Sequence, residues 1–302
     1  MISKCFIQTA AIFLAICLSF PSLTSCNSFT DTEYAIVSEN HISKEGFVYD
    51  KYENSTVRIT GIEDMPLLLT IPEEIDGMKV VEIGESAFEG NQMLLYLKLP
   101  STDIKLGKRF CSGCSSLVAA DLSNSVKSLP LGAFEECRNL SMVAGAEAIT
   151  EIGSQAFASC TSLSDLTVSD SLVSIGDEAF RGCTSLTSMT LPDTLTFIGE
   201  SAFWGCENLA KITVGGSPAI PKYAFLDCIA LSQVILGDNV ESIDEEAFRN
   251  CRALYSITFG KNLSSIASYA FHACDSLTEV VFKGDKNKVN ISEGNESLGM
   301  GN

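Results

Sequence analysis

Tryptophan occurs once and histidine twice in 302 residues, and these scarcities remove much chemistry at the outset. A hydrolytic triad needs an oriented base. His41 sits in a polar stretch near the amino terminus, and His272 occupies a repeat position that elsewhere holds Glu89, Arg181, Trp204 and Arg249, a solvent-facing set. Positive charge is scarce too: 20 Lys and Arg face 38 Asp and Glu, a formal net charge of -18. Such a surface repels phosphate backbones and anionic head groups, so nucleic acid is not expected as a partner. Neither an EF-hand spacing nor a phosphate-cradling glycine motif is present. The acidic stretches "VESIDEEAF" and "IGDEAF" read as charged surface, not as convergent carboxylates. No catalytic residue, cofactor or metal-ligand set is expected.

A membrane-spanning run is also missing. Phe6 to Phe20 is mostly apolar but covers 15 residues, short of the roughly 20 that a spanning helix needs. Following the weakly basic start Met1 to Lys4, it reads as an export leader over residues 1–25. Leu23, Thr24, Ser25 and Cys26 resemble the lipobox of bacterial lipoproteins, which makes Cys26 the expected lipid attachment site. The competing reading is an ordinary secretory leader with an incidental cysteine, although no A-x-A-type site stands nearby. Loss of the leader removes only Lys4 among charged side chains and leaves -19. The expected location is the bacterial cell envelope, lipid-anchored, at the outer membrane or cell surface.

What the chain does have is cysteine, 12 of them, most in register with a repeat. Leucine recurs at Leu94, Leu117, Leu140, Leu163, Leu186, Leu209, Leu231, Leu254 and Leu277. Three residues earlier stand Asn91 and then Cys114, Cys137, Cys160, Cys183, Cys206, Cys228, Cys251 and Cys274. Three earlier again comes an Ala-Phe pair in every unit but the second, where Phe110 and Cys111 exchange the small and large positions. Ile or Leu precedes the aromatic by five residues, from Ile83 to Ile266. Nine units result, 23 residues apart, with one unit shortened by a residue before Ile220.

In "LTSMTLP" the alternation of Met189 and Leu191 with Ser188 and Thr190 predicts one strand per unit, stopped by Pro192. The "IGDEAFRGC" part, with Ala, Phe and Cys at helix-like intervals, predicts a short helical turn. Glycine before that turn is not required by φ, since equivalent positions hold Pro130, Pro221, Asp244 and Ala267. The expected fold is an α/β-type leucine-rich-repeat solenoid, a parallel β-stack with short helical turns. Its parts are a tether at residues 26–45, a small β cap at 46–81, repeats at 82–282, and a C-terminal cap with a flexible tail at 283–302. There Val289 and Ile291 are the covering residues, and the strand "LSMVAGA" is weak because Gly145 replaces an inward apolar residue.

The column cysteines read as core, because one sulfur per layer cannot assemble a tetrahedral zinc site and parallel Cα–Cβ vectors oppose bridges between layers. Cys111-Ser-Gly-Cys114 has the C-x-x-C spacing. Core packing is the leading reading there, with a local disulfide and redox chemistry as alternatives. The expected binding face is the outward side of the strands: Tyr96, Lys98, Asp121, Asp165, Thr167, Ser188, Thr190, Lys211, Thr213, Gln233, Ser256, Thr258 and Glu279. It holds one aromatic and no arginine, whereas hot spots favour Trp, Tyr and Arg, so Trp204, Tyr223, Tyr255 and Tyr269 compete with it.

The pattern I-G-x-x-A-F-x-x-C-x-x-L-x-x-L-x-L-P resembles the BspA-like, or treponemal-type, bacterial leucine-rich repeat from Val80 to Phe282, with "IPEEIDGMKVVEIGESAF" as its lead-in. The resemblance implies a non-catalytic surface solenoid that binds a host matrix protein, a bacterial surface protein or a glycan. A structural envelope module with no external ligand is the alternative.

Overall fold

A computed structural model of the chain describes residues 34–299, so the leader and Cys26 lie outside the described residues. The chain winds into a parallel β-solenoid of about 10 turns. It opens with an antiparallel meander of β1 (Ile36–Ile42), β2 (Phe47–Tyr52) and β3 (Val57–Ile62). Parallel pairing begins inside the expected cap: β3 pairs with Met78–Ile83, and Leu68–Thr70 pairs with Tyr96–Lys98. Residues 36–42, expected to belong to the tether at 26–45, instead form β1 of the meander, and His41 stacks on Tyr49 at 5.4 Å. Tyr52 ties the cap to the first coil by donating to Glu82 Oε2 at 2.7 Å.

All coils but that of Asp165 carry two strands where the sequence predicted one. The longer, such as Ser188–Leu191, comes from L-x-x-L-x-L, with Met189 and Leu191 buried and Ser188 and Thr190 exposed. The shorter has two residues, as in Ser174–Ile175, and places the Ile column inside. Burial of a Leu, Ile or Phe contributes roughly 1.5 to 3 kcal/mol before chain entropy is charged, and no single coil can achieve it alone.

The expected helical turn is absent. Among the described residues the helical segments are two 3-10 turns, Lys286–Lys288 and Glu296–Leu298. In "IGDEAFRGC" the N–H groups of Glu178, Phe180 and Gly182 donate to Glu200, Ala202 and Trp204 of the next coil at 2.9, 2.7 and 2.7 Å. Those of Ala179, Arg181 and Cys183 donate back three residues. Glu178 and Gly182 have φ of 55° and 69°, so a left-handed residue every fourth position stops a right-handed helix from propagating. The same two columns are left-handed in all nine coils, from Ser86 and Gly90 to Tyr269 and Ala273. Gly176 has no positive φ, as expected, but it is needed for room: a Cβ there would lie 2.4 Å from Ser154 N.

Inside the turns the phenylalanines stack. From Phe134 to Phe271 successive ring centroids are 5.0 to 5.7 Å apart and planes differ by 7° to 12°. Such pairs add about 0.5 to 1.5 kcal/mol beyond their buried area. Phe110, from the neighbouring column, reaches Phe134 edge-on at 5.3 Å and 73°.

Two features of the ends and middle differ from expectation. The chain beyond residue 283 is packed as far as it is described, with Leu298 and Asn295 buried and Ile291 paired with Ile266. The longer-strand sheet breaks at the coil of Asp165 and Thr167, which form no strand. The preceding strand stops at Ala144 because Gly145, at φ 73°, turns the chain where an inward apolar residue would prolong it.

Candidate binding surfaces

The outward side of the longer strands forms registered rows. Ser188, Lys211, Gln233, Ser256 and Glu279 make one row, and Thr190, Thr213 and Thr258 stand in the next with Ile235 and Val281. Across the break, Tyr96 aligns with Ala119 and Lys98 with Asp121, to which it pairs at 3.5 Å. Ser256 is buried, a correction to its expected exposure, because this short side chain lies between Gln233 and Glu279. Asp165 and Thr167 are exposed but outside the ladder. The face is a solvated sheet of Thr, Ser and Lys, consistent with the strand preference of threonine.

The turns present a second surface, in the column that follows phenylalanine. In the first four coils it holds Glu89, Ser112, Glu135 and Ala158; in the last five it holds Arg181, Trp204, Leu226, Arg249 and His272. The guanidinium of Arg181 lies 5.1 Å from the Trp204 ring, and Glu178, at 2.9 Å from Arg181, is held below the usual carboxylate range by that hydrogen bond. Trp204 Nε1 donates to Asp227 Oδ2 at 3.1 Å, while Asn250 Nδ2 donates to Asp227 Oδ1 at 2.6 Å. Arg252 Nε donates to Asn250 Oδ1 at 2.6 Å, and Arg249 pairs with Glu246 at 2.6 Å. A depression of about 450 Å³ opens among Leu226, Asp227, Arg249, Asn250, Arg252 and Ala273. Tyr255 and Tyr269 are exposed and Tyr223 is half-buried. The sequence named the aromatic residues singly; aligning the post-phenylalanine column by residue type would have shown Arg and Trp gathered at one end.

A third feature lies where the shortened coil interrupts the two-residue strands, between Phe197–Ile198 and Ala219–Ile220. Asp177, Phe197, Glu200, Pro218, Pro221 and Asp244 line a depression of about 400 Å³ there. Burial, then the charge of Glu200, pushes Asp244 above its ordinary value. Asp177 is engaged with the Glu200 N–H at 2.9 Å.

Cysteine chemistry is turned inward. All nine described cysteines are buried free thiols. Cys183 Sγ donates to Phe157 O at 3.1 Å, and the same bond to the preceding coil recurs along the column, from Cys114 with Phe88 O to Cys274 with Phe248 O. Burial pushes the Cys183 and Cys274 thiols up to about 12. Among the described residues no group of three or more His, Cys, Asp or Glu is arranged to hold a metal ion.

The profile of the family described as BspA type leucine rich repeat region matches in six copies over residues 70–172, 150–278 and 218–294. Among solved structures, a leucine rich cell surface protein from Faecalibacterium prausnitzii aligns at 20% identity over 82% of this chain and 97% of its own, TM-score 0.46. A leucine-rich repeat protein from Bacteroides ovatus aligns at 24% over 82% and 88%, TM-score 0.39. The T. pallidum Leucine Rich Repeat protein aligns at 24% over 79% and 91%, TM-score 0.45. No curated protein matches this chain.

Proposed function

The chain belongs to the BspA-type leucine-rich-repeat family, matched over residues 70–294, and on that premise we propose that it is a non-catalytic adhesion protein of the bacterial cell envelope, held by a lipid at Cys26. The family supports a protein-binding or adhesion-type role and placement at the cell surface or outside the cell. Lipidation rests on the Leu23 to Cys26 motif and the short apolar leader. Among the described residues no helix is long and apolar enough to cross a membrane.

The observation that carries the binding reading is the segregation of Arg181, Trp204, Leu226 and Arg249 on the turn edge of the last five coils. Arg and Trp are hot-spot residue types, and anchors of this kind contribute most of an interface's energy. The strand face, with its rows of Ser, Thr and Lys, supplies broader contact. The partner is a protein or glycan of a host matrix or of a neighbouring bacterium.

The test is pull-down of matrix proteins and bacterial surfaces by the mature, unlipidated chain. Trp204→Ala with Arg249→Ala should weaken capture roughly tenfold or more, as loss of about 1.4 kcal/mol or more requires. Ser188→Ala with Thr190→Ala should leave it nearly unchanged. The opposite ranking would move the anchors to the strand face. Survival of the chain on intact cells exposed to protease, while shed protein is digested, would refute surface display and return the envelope-module reading.

A further inference from the structure

Eight of the nine described cysteines fill one column, and each donates its S–H to a backbone carbonyl of the coil before. Cys111 is different in position and in bonding. It stands in the phenylalanine column, and its thiol donates to a sulfur, Cys114 Sγ, at 3.3 Å. We propose that Cys111 and Cys114 are a covalent modification site, joined into a disulfide within one turn by exchange with a disulfide-bearing oxidant.

The geometry of the turn carries this. Cys114 N donates to Cys111 O at 3.4 Å, closing a four-residue turn. Such turns hold the first and fourth Cα atoms within about 7 Å, and a disulfide spans about 4.4 to 6.8 Å. The two sulfurs already touch and must close to about 2.05 Å. Little is given up by bridging. Cys111 loses a weak bond to sulfur, and Cys114 loses its donation to Phe88 O, which keeps the N–H of Asn91 at 3.3 Å. The donation from Cys111 also draws the Cys114 thiol down, while Cys111 itself is raised by the same contact.

The chemistry balances as two exchanges. The Cys114 thiolate attacks one sulfur of the oxidant's disulfide and expels a thiolate, leaving a mixed disulfide. The Cys111 thiolate then attacks Cys114 Sγ and expels the second thiolate. The pair gives up two protons and two electrons, and the oxidant's disulfide becomes two thiols. Because both residues are fully buried in the folded turn, exchange occurs on the unfolded chain or when the turn opens. The product pins the one turn in which Phe110 enters the ring stack from the wrong column. This inference does not depend on the binding reading.

Trypsin makes the test direct. Cleavage after Arg109, Lys127 and Arg138 puts Cys111 and Cys114 together in peptide 110–127 and Cys137, the thiol beside them in the next coil, in peptide 128–138. The full chain is unfolded, incubated with oxidised glutathione, refolded, alkylated in denaturant and digested. Peptide 110–127 should appear lighter by two hydrogens and without label, while 128–138 carries label on Cys137. Two labelled cysteines in 110–127, or a cross-link between 110–127 and 128–138, would overturn the proposal. In Cys111→Phe, which restores the column, Cys114 should be fully labelled; an unlabelled Cys114 there would also overturn it.

Discussion

Cys183 shows why a thiol suits this interior. Its S–H donates to Phe157 O, which already accepts the Cys160 N–H at 3.0 Å, so the thiol fills the carbonyl's second lone pair while its sulfur packs as a small hydrophobe. Cys183→Ala removes both and should cost about 1 to 2 kcal/mol at neutral pH. The burial that raises this thiol has a defined pH signature. The folded value, about 12, lies above the unfolded 9.0, so the stability it contributes is fully present below pH 9 and is lost as pH rises towards 12. Cys160, Cys206, Cys228, Cys251 and Cys274 shift in the same direction, chiefly by burial, and their losses add. Urea midpoints should therefore fall steeply between pH 9 and 11. The gap between the native chain and Cys183→Ala should narrow over that range, with a slope of up to about 1.4 kcal/mol per pH unit. A constant gap would mean that the thiol titrates as freely in the fold as outside it. The column register made the core role of these residues legible in the sequence. The hydrogen bond to the preceding coil was not, since it depends on how far one coil is displaced from the next.

At the scale of the element, the turn is where sequence and structure part. Ala179, Phe180 and Cys183 fit the inward side of a helix and equally the inward side of a turn with left-handed residues on either flank, so apolar spacing cannot separate the two. The distinguishing signal was in the polar columns: the position before Asn91 and the cysteines that follow it in the column holds Gly90, Gly113, Gly182, Gly205, Asp227 and Asn250, residue types suited to positive φ. Gly205, at φ 71°, should not tolerate a β-branched residue, and Gly205→Val should lose about 1 to 2 kcal/mol or more. Ala273 occupies the same column at φ 58°, so Ala273→Gly should raise stability, by up to about 1 kcal/mol after the added chain entropy of glycine. Thermal midpoints of the two variants should move in opposite directions; if both fall, entropy outweighs the relief of strain at this column. The strands themselves were readable from period two. The loss of the Asp165 strand was not, because "LSDLTV" keeps the pattern and the cause lies one coil earlier, at Gly145.

For the solenoid as a whole, the breaks in its ladders are staggered. The longer strands lapse between Met142–Ala144 and Ser188–Leu191, where the shorter strands run on through Glu151–Ile152 and Ser174–Ile175. The shorter strands lapse twice, between Lys105–Leu106 and Ser128–Leu129, where Ala119–Asp121 and Met142–Ala144 remain paired, and between Phe197–Ile198 and Ala219–Ile220, where Ser188–Leu191, Lys211–Val214 and Gln233–Leu236 remain paired. The ring stack from Phe110 to Phe271 crosses all three gaps. No interface between coils is left without a bridging ladder, so nearest-neighbour coupling should carry unfolding through the described repeats as one transition. The end of the stack relies on Asn295, whose Oδ1 accepts the buried Phe271 N–H at 3.0 Å and whose Nδ2 donates to Ala267 O at 2.9 Å, standing in for a further coil. Asn295→Ala orphans that N–H and should cost about 1 to 3 kcal/mol. Under full coupling the cost reaches every coil. Fluorescence of the single tryptophan, Trp204, and far-ultraviolet circular dichroism should then shift together to the same lower denaturant midpoint. A circular dichroism transition that splits, with Trp204 following only one part, would show that the staggered ladders do not bind the coils into one cooperative unit.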